Sequence, residues 1–187
     1  KTIKTKKGLD IKLIGEANKT IVDIPISPTY TLSPLDFHGL TPKMLVKEGE
    51  TVKVGSPVFC NKYSPEIKFV SPVSGTIKSI VRGQKRRILD VIISSDSKQE
   101  SIEPVDVSSE NIKETFLNGG LWPMIKQRPI DVVADINKMP KAIFISAFDS
   151  SPLAIDYDYS LQNDAENFQK GIDALSKLSS CKIYLTL

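Results

Sequence analysis

One histidine, one tryptophan and two cysteines are all that the 187-residue sequence offers of the side chains on which much metal, thiol and nucleophilic chemistry depends. Cys60 and Cys181 stand far apart, without a CxxC or Cys/His spacing. Zinc and iron–sulfur ligation therefore lack a minimum ligand set, and both thiols are expected to be reduced, as in the cytoplasm. No GxSxG motif is present, and a Ser-His-Asp or Cys-His set can be assembled only around His38. That residue follows Phe37 and precedes Gly39, which reads first as packing or hydrogen bonding rather than as a base. Aromatic residues make up 7% of the chain and Lys plus Arg exceed Asp plus Glu by only three. Stacking platforms and a cationic footprint are both missing, which argues against nucleic acid. No run approaches the roughly 20 apolar residues of a membrane-spanning helix. The basic stretch 1–9 has no apolar signal core behind it, so any membrane contact is expected to be peripheral. The sequence starts without Met and stops on the apolar run Lys182-Ile-Tyr-Leu-Thr-Leu187, which reads as a buried strand and predicts a domain cut short.

What is present is an ordinary core composition, 40% apolar and 25% charged. Residues 1–40 read as an extended segment packing on the rest. Ile21, Val22, Ile24 and Ile26 lie among Pro25, Pro28 and Pro34, which favours short edge strands over helix. Residues 41–100 change to short apolar runs broken by Pro42, Gly49, Gly55, Pro57, Pro65, Pro72, Gly75 and Gly83. Strands are predicted at 44–46, 52, 58–59, 67–70, 76–77, 80–81 and 91–93, with Gly49, Gly55 and Gly75 in turns, which makes an all-β sandwich. Beyond a boundary near residues 96–107 the period lengthens. Ser108-Ser-Glu-Asn111 opens a helix carrying Ile112, Phe116 and Leu117, and Gly119-Gly120 stop it. Ala142-Ile-Phe-Ile-Ser-Ala147 reads as a buried strand, Asn163-Asp164 opens a helix with Phe168, Ile172, Leu175 and Leu178 on one face, and the last strand follows. Residues 101–187 thus form a βαβ unit of a parallel sheet, the start of a Rossmann-like α/β domain.

Leu45-Val-Lys-Glu-Gly-Glu-Thr-Val-Lys-Val-Gly-Ser-Pro-Val58, followed by Ser71-Pro-Val-Ser-Gly-Thr-Ile77, resembles the barrel-sandwich hybrid domain of biotinyl and lipoyl carriers. A carrier needs a modifiable Lys on its hairpin tip, and measured back from Pro72 that position falls near Ser64. The pattern therefore describes the fold without the prosthetic arm. Val81-Arg-Gly-Gln-Lys-Arg-Arg87 gathers four cations at a turn, either a solvated hairpin or a contact for anionic lipid, phosphate or an acidic partner. Gly119-Gly120 beside Trp122 is either a helix stop over a core Trp or a backbone approach to phosphate. Asp149-Ser-Ser-Pro152 follows a strand at its carboxyl end, where open α/β sheets bind ligands.

Taken in order, Lys7-Gly-Leu-Asp-Ile11, the stretch from Leu40 to Val52, Pro65-Glu-Ile-Lys-Phe-Val-Ser-Pro72, Gly75 with Arg82-Gly-Gln-Lys-Arg86, Gly120-Leu-Trp122 with Arg128-Pro129, and Ala142 to Asp149 with Pro152-Leu-Ala154 resemble the successive signatures of the A subunit of the bacterial Na⁺-translocating NADH:quinone reductases. The resemblance runs from residue 7 to about residue 178. It implies a peripheral protein on the cytoplasmic face of the bacterial inner membrane, held against the membrane subunit that lies at the quinone end of the electron path. The complex uses flavins, iron–sulfur centres and quinone, and the resemblance implies that this component binds no cofactor and is inactive in isolation. It also points to a quinone-proximal surface made by Phe37, His38, Gly39, Trp122, Arg128 and Pro129. Phe37 and Trp122 would offer apolar faces to a quinone ring, and His38 and Arg128 would donate hydrogen bonds to its carbonyls. Trp122 as a core residue is the competing reading. Relatives in the Rnf complex and respiratory complex I share the α/β domain, and the complex I member binds FMN through a Gly-rich loop and an acidic segment. An FMN-binding electron-entry domain is thus the alternative function. Here Trp122 replaces the run of glycines and Ser151 stands at the second acidic position, which disfavours it.

Overall fold

The computed structural model describes residues 13–15, 18–107, 110–149, 151 and 153–186. The signature at 7–11, the helix opening at 108–109, and Ser150 and Pro152 of the 149–152 segment lie outside them. Two compact units are present, one made of residues 24–139 with 177–179, the other of 1–23, 140–176 and 180–187.

The first unit is built from β1 (Thr29–Leu32), β2 (Pro42–Met44), β3 (Thr51–Val52), β4 (Pro57–Asn61), β5 (Ser64–Val70), β6 (Gly75–Arg82) and β7 (Ile88–Ser95). They form two antiparallel sheets, β1-β7-β6-β3 and β2-β4-β5. Val58, Phe59, Ile77, Val91 and Ile93 are buried to 1% exposure or less. Burying each such side chain contributes about 1.5–3 kcal/mol against the cost of ordering it. In β4 three consecutive residues, Val58, Phe59 and Cys60, are buried. Successive strand residues face opposite sides, so both faces of the three-stranded sheet are covered.

The cover over β5 comes from the segment that follows. Helix α1 (Ile112–Asn118) buries Ile112 and Phe116, and a 3₁₀ turn at Trp122–Met124 buries Trp122 and Pro123; both pack on β5. Asn111 caps α1, accepting from the Glu114 amide while its Nδ2 donates to the Glu114 carboxylate 2.7 Å away. Between helix and turn, Gly120 lies so close to β5 that a Cβ there would stand 2.5 Å from Val70 Cγ1. A short hairpin, β8 (Lys126–Gln127) and β9 (Val132–Val133), completes the unit.

Several sequence expectations shift in register. Residues 76–77 and 80–81 belong to one strand, β6, whose ladder with β7 slips between Ile77 and Ser79 and again after Val81. β2 ends at Met44, two residues before Val46. Gly75 sits inside β6 rather than in a turn, and it must be glycine because a Cβ would meet the Ser94 carbonyl oxygen at 1.9 Å. Ile21, Val22, Ile24 and Ile26 form no strand and are exposed; only Thr29–Leu32 reaches the edge of β7.

The second unit contains β10 (Ala142–Ser146), α2 (Tyr157–Leu161), all but the last two residues of α3 (Ala165–Leu178), and β11 (Lys182–Thr186). β10 and β11 pair in parallel, Ala142 opposite Lys182 through Ser146 opposite Thr186. Strand, helix and strand therefore stand where the sequence placed them, but neither strand is buried as expected: Phe144 is 74% and Tyr184 47% exposed. Helix α2 has no apolar period to announce it; Asp156 caps it by accepting from the Tyr159 amide at 3.0 Å.

Candidate functional site

Phe37 leaves a 3₁₀ turn at Pro34–Asp36, where Pro34 starts the turn and the Phe37 amide closes it on the Pro34 carbonyl. The chain then reverses at Gly39, whose φ of +74° an L side chain rarely adopts, and the Leu40 amide donates to the Phe37 carbonyl at 3.1 Å. The Phe37 ring makes a T-shaped contact with Phe69 of β5 (centroids 4.6 Å, planes at 73°), and Phe69 stacks on Phe59 of β4 at 4.7 Å. Each such pair contributes about 0.5–1.5 kcal/mol beyond area burial. Half-buried Phe37 is thus anchored to the aromatic core of the three-stranded sheet, while His38 is exposed.

The β8–β9 hairpin meets this turn from the other side. Lys126 Nζ lies 5.2 Å from the centroid of the Phe37 ring, and a Cβ on Gly39 would stand 3.4 Å from Val132 Cγ1. The hairpin loop carries exposed Arg128, the cis Arg128–Pro129 peptide and Asp131 at φ +54°. Arg128 Nη1 pairs with the Asp131 carboxylate at 3.7 Å, an exposed contact that contributes little to stability. At the hairpin base the Asp135 carboxyl is held below its ordinary pKa by the Asn137 amide and by Lys138.

Of the six residues singled out in the sequence, Phe37, His38 and Gly39 lie on the turn, and Arg128 and Pro129 lie in the loop of the hairpin that meets this turn through Lys126 and Val132. Trp122 is different: it is buried, and its indole N–H donates to the Ala134 carbonyl at 2.8 Å. It supports the hairpin from below and offers no open face. Lys126 was missed by sequence reading. A lone Lys at the start of a two-residue strand has no periodicity, and its partner ring lies 89 positions earlier in the chain.

Elsewhere the candidates resolve into structural roles. The Gly119, Gly120 and Leu121 amides donate to the Thr115, Leu117 and Phe116 carbonyls, closing the end of α1. Asp149 accepts from the Ser151 hydroxyl and amide, which lower its pKa. Ser64 pairs with Asn61 below a two-residue tip, Lys62-Tyr63. Arg82, Lys85, Arg86 and Arg87 form an exposed hairpin end where Arg82 donates to the Arg86 carbonyl. Among the described residues no group of His, Cys, Asp or Glu is arranged to hold a metal, and no helix is long and apolar enough to cross a membrane.

Residues 3–96 match the family model described as the NqrA N-terminal barrel-sandwich hybrid domain, and residues 107–187 match the NqrA second alpha/beta domain. The chain is similar to the A subunit of the Na(+)-translocating NADH-quinone reductase of Neisseria meningitidis serogroup A, 34% identical over 98% of the chain and 42% of the relative. Similar matches are the same protein of Yersinia pseudotuberculosis, 34% identical over 98% and 42%, and of Marinomonas sp., 32% over 97% and 42%. The chain thus spans about two fifths of the length of these relatives.

Proposed function

From the premise that the chain belongs to the NqrA family, the A subunits of the Na⁺-translocating NADH-quinone reductases, we propose that it serves the complex by assembly and by a quinone-proximal surface. In this reading it is peripheral, sits on the cytoplasmic face of the bacterial inner membrane against the quinone-end membrane subunit, and supports NADH oxidation, quinone reduction and Na⁺ export without holding a cofactor. The supporting observation is that two segments far apart in sequence, Phe37–Gly39 and the β8–β9 hairpin, meet on one surface. That surface combines a half-buried aromatic ring with the Lys126 ammonium over it, and the hairpin loop carries Arg128. A ring with polar carbonyls at its ends needs this mixture of apolar contact and donors. Trp122 has a supporting role, with its indole N–H already committed.

The test replaces Phe37, His38 and Arg128 singly in the assembled reductase and measures apparent quinone affinity beside complex yield. Weakened quinone response at normal yield is expected for Phe37→Leu. Unaltered affinity in all three, or loss of assembly alone, would leave the chain a scaffold. The FMN alternative is disfavoured because the Gly119 and Gly120 amides already serve helix carbonyls and leave few donors for a phosphate. The purified protein is accordingly expected to lack a flavin absorption band and to bind FMN no better than about millimolar. A stoichiometric yellow flavin overturns that.

A further inference from the structure

The two cations of the hairpin differ in what holds them. Arg128 is drawn to Asp131 at 3.7 Å, within its own loop. Lys126 is exposed, and among the described residues no carboxylate lies within 4 Å of its ammonium. Its partner is the Phe37 ring, at a distance where the negative π face attracts a cation. An ammonium has three N–H donors in rotatable directions and no acceptor. A contact to a ring occupies the charge without using up those donors as a carboxylate would. Phe37 is itself fixed by Phe69, and Phe69 by Phe59, so the ammonium rests on a support continuous with the core. An aromatic anchor thus stands beside a cation whose donors no carboxylate among the described residues engages.

From this geometry we infer that Lys126, held over the Phe37 ring, is the donor that recognises a quinone carbonyl at this surface, and that Arg128 is not. The inference rests on the quinone-proximal reading above and assigns a residue within it. A quinone ring approaching Phe37 meets the ammonium first. Its carbonyl oxygen accepts an N–H from Lys126 while the ring keeps apolar contact with Phe37, Gly39 and Val132. No bond is made or broken at this step, so the role is positioning and affinity. Arg128 stands exposed on the hairpin loop, and among the described residues no ring contact fixes its guanidinium as Phe37 fixes the Lys126 ammonium.

The experiment measures apparent KM for a water-soluble short-chain ubiquinone analogue, kcat and complex yield in the assembled reductase carrying Lys126→Gln, Lys126→Arg, Arg128→Gln or Phe37→Leu. Lys126 is exposed, so folding is not at stake in its replacement. Lys126→Gln is expected to raise KM about tenfold with kcat and yield near the parent values, the size of one lost hydrogen bond from a charged donor. Lys126→Arg is expected to recover most of that affinity, and Arg128→Gln to raise KM by clearly less than Lys126→Gln does. If Phe37→Leu raises KM while Lys126→Gln leaves it unchanged or lowers it, the assignment of Lys126 is overturned and the surface stands. If Arg128→Gln has the tenfold effect instead, the donor is the other cation. If no variant moves KM, the surface reading fails and this inference with it.

Discussion

The sandwich unit and the unit built on β10 and β11 come from the same chain, yet they treat their apolar residues in opposite ways. In the first, two sheets face each other and an added helix covers the outer face, so Phe59 is fully buried within an aromatic stack. In the second, a two-stranded parallel pair leaves Phe144 74% exposed although it stacks on Tyr184 at 5.2 Å. A parallel sheet needs layers on both faces, and the two strands and the helices within these 187 residues, about two fifths of the length of the relatives, supply little cover. The same residue type therefore has different energetic weight in the two units.

The largest expected contrast lies in those rings. Phe59→Ala should cost about 3–5 kcal/mol in chemical denaturation, whereas Phe144→Ala should stay within about 0.5 kcal/mol. Equal losses would mean that Phe144 is buried as fully as Phe59 is. The glycines give the next contrast. Gly49→Ala has open space but a φ of +85°, so a loss of about 1–2 kcal/mol of stability is expected. Gly171→Ala, inside α3 with open space and no positive φ, should instead gain about 0.5–1 kcal/mol. A melting-temperature shift of the same sign in both would contradict the backbone assignments.

The smallest effect is in acid. In the sandwich unit the Asp96 carboxyl is lowered from 3.8, chiefly by the hydroxyl of buried Ser74 and then by the Lys98 amide. In the other unit Lys19 is the first cause for exposed Asp156. Both carboxyls are depressed in the folded state. Each contributes stability that is present above the unfolded value and lost as pH falls through the folded one, a window below about pH 4. Ser74→Ala should flatten this acid limb at any salt concentration, whereas the Asp156 contribution should fade with added salt. An acid limb unchanged by Ser74→Ala would remove Asp96 from this account.

Much of the fold was legible because its signals are local. Pro and Gly spacing marked the sandwich, and Phe168, Ile172 and Leu175 marked α3. Errors fell where register depends on a partner strand. Gly75 looks like a turn residue until Ser94 is placed against it, and Ile21 to Ile26 look like a strand until no edge receives them. The family resemblance pointed to two segments for the candidate surface. Which side chains touch there was not legible, and the burial of Trp122, weighed as a competing reading, depends on the Ala134 carbonyl arriving from the far side of the hairpin.

Composition and spacing alone determined that this chain lacks thiol and histidine ligand sets, that a β sandwich precedes an α/β segment, and that Asn111 and Gly119 bracket a helix. These follow from side-chain chemistry and from interactions within a few residues. Only the tertiary structure decided that Lys126 rests on Phe37 while Arg128 rests on Asp131. The two cations stand two positions apart with the same charge. What separates them is which long-range neighbour packing brings within reach, because a cation–π contact and an ion pair both act over only a few ångströms.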